Sequence, residues 1–308
     1  MAQHRRGSRL CGAPLVLLSL AVVSACRPTL PSPTAVASGS QPASPSASPA
    51  AELILCQDRV FDGYTTRPFV LDGGVAADPS VLKIIRGCTF RNSTLPAIVL
   101  ADTVNVLIED NLFEDIRTNI PGDGVHGIYV RGDRRIDRVI IRGNTFRRIG
   151  ADGMQLGDTG RHVTNIVIEQ NTFSGSAEVG ENGIDVKGVD GPIVIRGNTW
   201  SGFRPCESPK KGGTQDCSGS DGAGIVVHEG EGGGRPHGVT VIDNVALDNT
   251  RGMDVSHADD VTIVGNTFRG SLEWDIFVGD VSGCTLGTNT FEGSSGSVVV
   301  QESDCRPP

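Results

Sequence analysis

The sequence predicts an all-β solenoid, a coil of short parallel strands stacked in about eight to nine rungs, and three observations carry that expectation. First, an apolar strand followed by a turn and an aromatic residue recurs eight times. The clear copies are IIRGNTF (140–146), IVIEQNTF (166–173), IVIRGNTW (193–200), VTIVGNTF (261–268) and TLGTNTF (285–291), with weaker ones at Ile84–Phe90, Val106–Phe113 and Val239–Ala246. Second, a strand of the form G-I-x-V-x lies between copies: GIYVR from 127, GMQLG from 153, GIDVK from 183, GIVVH from 224 and GMDVS from 252. Third, no stretch after residue 50 shows sustained helical periodicity with caps, which excludes helical repeats and leucine-rich horseshoes.

The repeat sets the rung. Asn111, Asn144, Asn171, Asn198, Asn244, Asn266 and Asn289 mark successive turns, at intervals of 33, 27, 27, 46, 22 and 23 residues. A base period near 23 residues holds two or three short strands and their turns, and the longer intervals hold insertions. Rungs of this kind stack about 4.8 Å apart with parallel pairing. The turn asparagines are expected to form an internal ladder, with Cys88 in the asparagine's place in the first copy. Phe90, Phe113, Phe146, Phe173, Trp200, Phe268 and Phe291 are expected to form an inward aromatic stack.

Taken together, residues 51–308 resemble the single-stranded right-handed parallel β-helix of the pectate lyase superfamily. The resemblance implies a substrate cleft on the face built by the G-I-x-V-x strands. It also implies β-elimination beside a uronic acid carboxylate, with a lysine or arginine as base and often with calcium held by acidic side chains.

The N-terminus has the shape of an export signal: Arg5, Arg6 and Arg9, an apolar run from Leu15 to Val23, then V-S-A-C ending at Cys26. The last four residues resemble a bacterial lipobox. Residues 1–25 therefore read as a lipoprotein signal peptide with Cys26 acylated, 26–50 as a Pro/Ser/Ala-rich tether, and 51–308 as the β-helix domain. The expected place is the cell envelope, lipid-anchored and exported. Removal of the signal leaves 24 basic and 36 acidic side chains, a balance of −12 that argues against nucleic acid as a partner. It also means that an acidic polysaccharide would need a local basic patch. With Cys11 and Cys26 set aside, six cysteines remain and fifteen connectivities stay open. The β-helix arrangement favours neighbours: Cys56 with Cys88, Cys206 with Cys217, and Cys284 with Cys305.

Alternation in the G-I-x-V-x strands turns Ile and Val inward and the two x positions outward. Stacking gives one column of Val99, Tyr129, Gln155, Asp185, Val226, Asp254 and Phe277, and a second of Ala101, Arg131, Gly157, Lys187, His228, Ser256 and Gly279. The long loops at 114–126, 174–182, 203–223 and 229–238 gather near the same strands, so a groove is expected over Asp185, Lys187, His228 and Asp254. Lys187 is the candidate base, with a pKa depressed by a cationic neighbour, and His228 or Arg131 would bind carboxylate or stabilise the enolate-like charge. The plain structural alternative pairs Lys187 with Asp185 on its own strand. Tyr129, Arg251 and His257 are further substrate-binding candidates, His126, Asp123, Glu181 and Asn182 weaker ones, and His237 reads as a loop residue.

Asp185 and Asp254 stand two rungs apart, roughly 9.6 Å, which also suits the acid and base of an inverting glycoside hydrolase. Neither an Arg-Ile-Lys triplet nor Gly-His-Gly occurs, which speaks against a polygalacturonase-type enzyme, and a calcium or hydrogen-bonding role for the two aspartates is equally open. The leading expectation is thus a surface-tethered lyase for an acidic polysaccharide. A non-catalytic glycan-binding β-helix and an inverting hydrolase are the alternatives.

Overall fold

The computed structural model describes residues 51–117, 125–176, 180–204, 222–293 and 298–306. The expected signal, Cys26, the tether, Asp123 and the Cys206/Cys217 pair lie outside them. The described chain is a parallel β-helix with three strand-bearing faces and no helix among these residues.

One face is a sheet of nine strands, from Val60–Asp62 and Thr89–Ser93 through Thr145–Arg147 and Thr199–Ser201 to Thr290–Glu292, so the coil has nine rungs. A second face runs from Ala51–Gln57 through Val81–Arg86, Thr103–Glu109, Ile136–Arg142 and Val163–Glu169 towards the C-terminal end. The third holds the G-I-x-V-x strands: Phe69–Leu71, Ile98–Leu100, Ile128–Val130, Met154–Leu156, Ile184–Lys187, Ala223–His228, and the first halves of Arg251–Val264 and Ile276–Ser282. All ladder pairings between rungs are parallel, and both predicted columns follow the register: Tyr129 pairs with Gln155, Gln155 with Asp185, Asp185 with Val226, Val226 with Asp254, and Lys187 with His228.

Two internal stacks hold the rungs together. In the asparagine ladder, each side-chain oxygen accepts from the backbone N–H and the side-chain amide of the asparagine one rung earlier. Asn144 thus donates to Asn171 Oδ1 at 2.9 Å and 3.0 Å, and its amide also reaches the Ile108 carbonyl at 2.9 Å. Cys88 starts the ladder, its N–H donating to Asn111 Oδ1, and the 46-residue interval between Asn198 and Asn244 leaves the pattern unchanged. The aromatic stack is equally regular, with Phe113, Phe146 and Phe173 at centroid spacings of 4.6 Å. Ala246 interrupts it between Trp200 and Phe268, and Phe291 continues it by stacking on Phe268 at 5.8 Å, exposed because it ends the column.

Five of these strands are opened by glycine, at 127, 153, 183, 224 and 252, where the chain runs close against this stack: a Cβ on Gly183 would lie 2.4 Å from Trp200 Cδ1. Cys56–Cys88 and Cys284–Cys305 are bonded as expected, pinning the two ends of the coil, where strand edges are unpaired.

Candidate functional site

The third face brings Asp185, Lys187 and His228 together. Asp185 and Lys187 lie two positions apart on one strand, so their side chains share a face, and His228 occupies the position beside Lys187 on the next rung. Lys187 Nζ lies 2.8 Å from Asp185 Oδ2, and His228 Nε2 lies 3.1 Å from Asp185 Oδ1, at an angle poor for a hydrogen bond. The Asp185 carboxylate is buried, while the Lys187 and His228 side chains are partly open to solvent. The Lys187 and His228 side chains therefore face solvent and the carboxylate backs them.

Electrostatics sort these groups. Burial alone would raise the Asp185 carboxyl, but the close imidazole of His228 and the charge of Lys187 outweigh it and hold Asp185 below the usual carboxylate range. Burial likewise opposes the Lys187 ammonium, yet Asp185, with help from Asp152 and Asp158, pushes its pKa above the ordinary lysine value. This is the opposite of the depression expected for a lysine base. The ion pair with Asp185, the plain alternative for this residue, is what forms.

The first column also departs from expectation. Gln155, Asp185 and Asp254 point out of the coil but are buried. Asp254 lies 3.8 Å from Arg251 Nη1, and Arg251 in turn holds Glu273 at 2.7 Å and stacks on the Trp274 ring at 4.5 Å. Arg251 is thus buried behind the face as a partner for carboxylates rather than presented to a substrate. Burial raises the Asp254 carboxyl, against the lowering effect of Arg251 and His228. A carboxyl whose folded pKa is raised binds its proton more tightly when folded, so its stabilising contribution is complete below the unfolded value of 3.8 and is lost as pH rises through the folded value. Asp254→Asn should remove that loss: the stability of the variant relative to the parent should climb as pH is raised above 3.8, read from denaturant midpoints across pH.

A third line of residues, immediately before the strand glycines, does not stand out in the sequence as a column. It holds His126, Asp152, Asn182 and Arg251, before Gly127, Gly153, Gly183 and Gly252. His126 Nδ1 lies 3.3 Å from Asp152 Oδ2, Asn182 donates to Asp152 Oδ1 at 3.1 Å, and the Ala223 N–H donates to Asn182. Asp152 is buried, and burial first and the Asp185 charge second push its carboxyl upward. The recurring position before each glycine is the signal that could have found it.

The remaining candidates separate. Tyr129 donates to Asp158 at 2.7 Å, and burial, then Asp158, pushes the phenol further up, so it serves as a neutral donor. Arg131 forms a two-pronged bond with Asp133, at 3.0 Å and 2.8 Å. Both line a cleft of about 270 Å3 over the N-terminal rungs, whose floor includes Val70, Val99 and Ala101. His257 is not brought to the site: it lies three residues, roughly 10 Å of extended chain, beyond Asp254, at φ +48°, with Nε2 3.8 Å from Asp280. His237 pairs with Asp260. Among the described residues no three His, Cys, Asp or Glu side chains are grouped to hold a metal ion. With both oxygens of Asp185 turned to Lys187 and His228, this face does not fit the calcium that the resemblance suggests.

Residues 126–306 match the model of the right handed beta helix region. The chain belongs to the right-handed β-helix family. None of the curated proteins matches it in sequence. Among solved structures, this β-helix is similar to PfbA, a surface adhesin of Streptococcus pneumoniae, at a TM-score of 0.60 and 16% identity over 74% of this chain. It spans 58% of the adhesin's length. Endopolygalacturonase I from Stereum purpureum has a TM-score of 0.48 at 15% identity, covering 82% of this chain and 78% of that one. An alginate lyase from Paenibacillus sp. str. FPU-7 also has 0.48, at 13% identity, covering 85% and 94%. At 16% identity the likeness to the adhesin speaks for the fold alone.

Proposed function

We propose that this β-helix is an exported enzyme that cleaves an acidic polysaccharide by β-elimination, with His228 as the base. The observation that carries the reading is the single carboxylate of Asp185 facing both Lys187 and His228. With Nε2 turned to Asp185, the His228 nitrogen left for proton abstraction is Nδ1, which meets no partner among the described residues. Lys187, kept charged by Asp185, neutralises the uronate carboxylate and so acidifies the carbon beside it. The C–H electrons form the new carbon–carbon double bond, the glycosidic C–O bond breaks, and its oxygen takes a proton from Asp254, whose carboxyl burial raises above the usual carboxylate range. Lys187 as base gives way in this reading, because its ammonium is stabilised. An inverting hydrolase is disfavoured because Asp185, the required base, is buried and ion-paired with Lys187.

Two disulfides support residence in an oxidising compartment, and V-S-A-C at 23–26 supports lipid anchoring through Cys26. A non-catalytic glycan-binding surface is the second reading. It is favoured by the Lys187 ammonium, held charged by Asp185 at 2.8 Å and partly open to solvent, which can bind a carboxylate without taking up a proton.

The test is an ultraviolet time course of the purified chain on polyuronides and glycosaminoglycans, with calcium and with chelator, beside His228→Ala and Lys187→Ala. Unsaturated product that falls about 10²- to 10⁴-fold in His228→Ala supports the elimination. Product retained in His228→Ala but lost in Lys187→Ala returns the base to Lys187. New reducing ends without unsaturation would establish hydrolysis, and no turnover with measurable binding would establish the binding surface.

A further inference from the structure

We infer that the middle of the second face is the interface of a homodimer, in which two copies of this chain pack face to face with their coils antiparallel.

That face carries an outward apolar stripe which the coil itself does not require. Leu107, Ile140, Val167 and Val194 lie in register on four consecutive rungs, each between two strand neighbours that belong to the core, so alternation turns all four outward. Ile140 is 38% exposed and the other three are half-buried. The next rungs hold Thr240 and Thr262 at the same position. On the nine-stranded face, Thr145, Thr172 and Thr199 stack in one outward column. Threonine suits a strand as well as valine or isoleucine does, so strand formation alone gives no reason for the aliphatic run. A contiguous apolar patch in solvent marks a surface that another molecule covers.

The column beside the stripe identifies that molecule as a second copy. Glu109, Arg142, Glu169 and Arg196 occupy the same four rungs two positions further along each strand, alternating in sign. Within one coil they pair in twos, Arg142 with Glu109 at 2.7 Å and Arg196 with Glu169 at 2.6 Å, and both arginines remain exposed. Consider a two-fold axis that runs along the strands, midway between the rungs of Ile140 and Val167. It lays stripe on stripe, with Ile140 against the partner's Val167 and Leu107 against the partner's Val194. It also lays the charge column on itself in reverse order. Arg142 then meets the partner's Glu169, and Glu109 meets the partner's Arg196, with opposite signs at both contacts. An axis through a rung would set like charge on like charge. Parallel coils would carry the column to the other side of the stripe, away from its complement. The alternation therefore selects the antiparallel register. At about 4.8 Å per rung and 3.3 Å per residue, the overlapping faces measure roughly 35 Å by 20 Å. The covered area of about 700 Å2 per copy is close to the ~800 Å2 per partner of a standard specific interface.

Sedimentation velocity of the purified chain over a range of concentrations tests the interface. The parent should pass from monomer to dimer and stop there, because a closed two-fold contact uses up the face. Ile140→Glu, which buries a charge at the centre of the stripe, should weaken the dimer at least about tenfold. Arg142→Glu sets carboxylate against carboxylate across the axis and should also weaken it about tenfold. Adding Glu169→Arg to Arg142→Glu restores opposite signs between the copies and should recover most of the affinity. Within one coil that double variant still lacks both ion pairs, so its recovery reports the contact between copies rather than local stability. Val70→Glu, at an exposed aliphatic residue of the third face, should leave association unchanged. Melting temperatures would establish that each variant is folded. A chain that stays monomeric up to about 1 mM, as it would if its own residues 27–50 lay over the stripe, would overturn the inference. So would open-ended assembly, a dimer indifferent to Ile140→Glu, or a double variant that associates no better than Arg142→Glu.

Discussion

Asp185→Asn is expected to lower turnover of an acidic polysaccharide about 10²- to 10⁴-fold, although Asp185 itself is buried beneath the groove. Its carboxylate is the shared partner of the two groups that would meet the substrate, 2.8 Å from Lys187 Nζ and 3.1 Å from His228 Nε2. An amide of the same shape removes the charge that offsets the ammonium and that would stabilise an imidazolium as His228 takes its proton. A readout independent of turnover separates this role from mere loss of packing. Without Asp185 the Lys187 pKa should fall, and an amine-directed reagent at fixed pH should label Lys187 faster in Asp185→Asn than in the parent. Stability gives a second readout. The Asp185 carboxyl is held below 3.8, so its contribution is present above that pH and is lost as pH falls through the folded value. The stability gap between parent and variant should therefore close in acid. A gap that stays constant from neutral pH to strong acid would contradict the ion-pair assignment.

The second large effect lies in the ladder. Asn171→Ala should destabilise the coil by about 4 kcal/mol, since each buried polar group left without a partner costs about 1–3 kcal/mol. The substitution strands the Asn144 N–H, takes one of three acceptors from the Asn144 amide, and removes the side-chain donor to the Ile141 carbonyl. It also removes a donor from Asn198 Oδ1. Asn289→Ala, at the partly open end of the ladder, should cost about 1 kcal/mol, because water can replace what is lost. Chemical denaturation of both variants checks the contrast, and equal losses at the two positions would remove the ladder as the reason for the asparagines.

Most of the coil could be read in the sequence because its stabilising groups recur in register. The asparagine turns, the aromatic stack, both terminal disulfides and both outward columns appear where the repeat places them. The site was readable only as a set of neighbours. That Lys187 lies beside His228 follows from the strand repeat, but that Asp185 folds back between them depends on side-chain direction, and this reverses the expected sense of the Lys187 pKa. Asp152, Glu273 and Trp274 stood outside the two x columns, so the alternation within strands gave no reason to choose them. Lys83 is a further case: it occupies the interior of a strand, yet its buried ammonium donates to the carbonyls of Asp78, Val81 and Val104.

The ladder also makes the molecule a ruler with interchangeable divisions. Because Asn144 meets Asn171 as Asn171 meets Asn198, the 27-residue segment between equivalent asparagines is a length unit whose two ends fit each other. One unit can be excised or duplicated with every asparagine still finding a neighbour, as the 46-residue interval before Asn244 already accommodates extra chain without a break. Reach along the axis can therefore change by about 4.8 Å per unit while the interior stays the same, and the span of a bound polymer is set by counting.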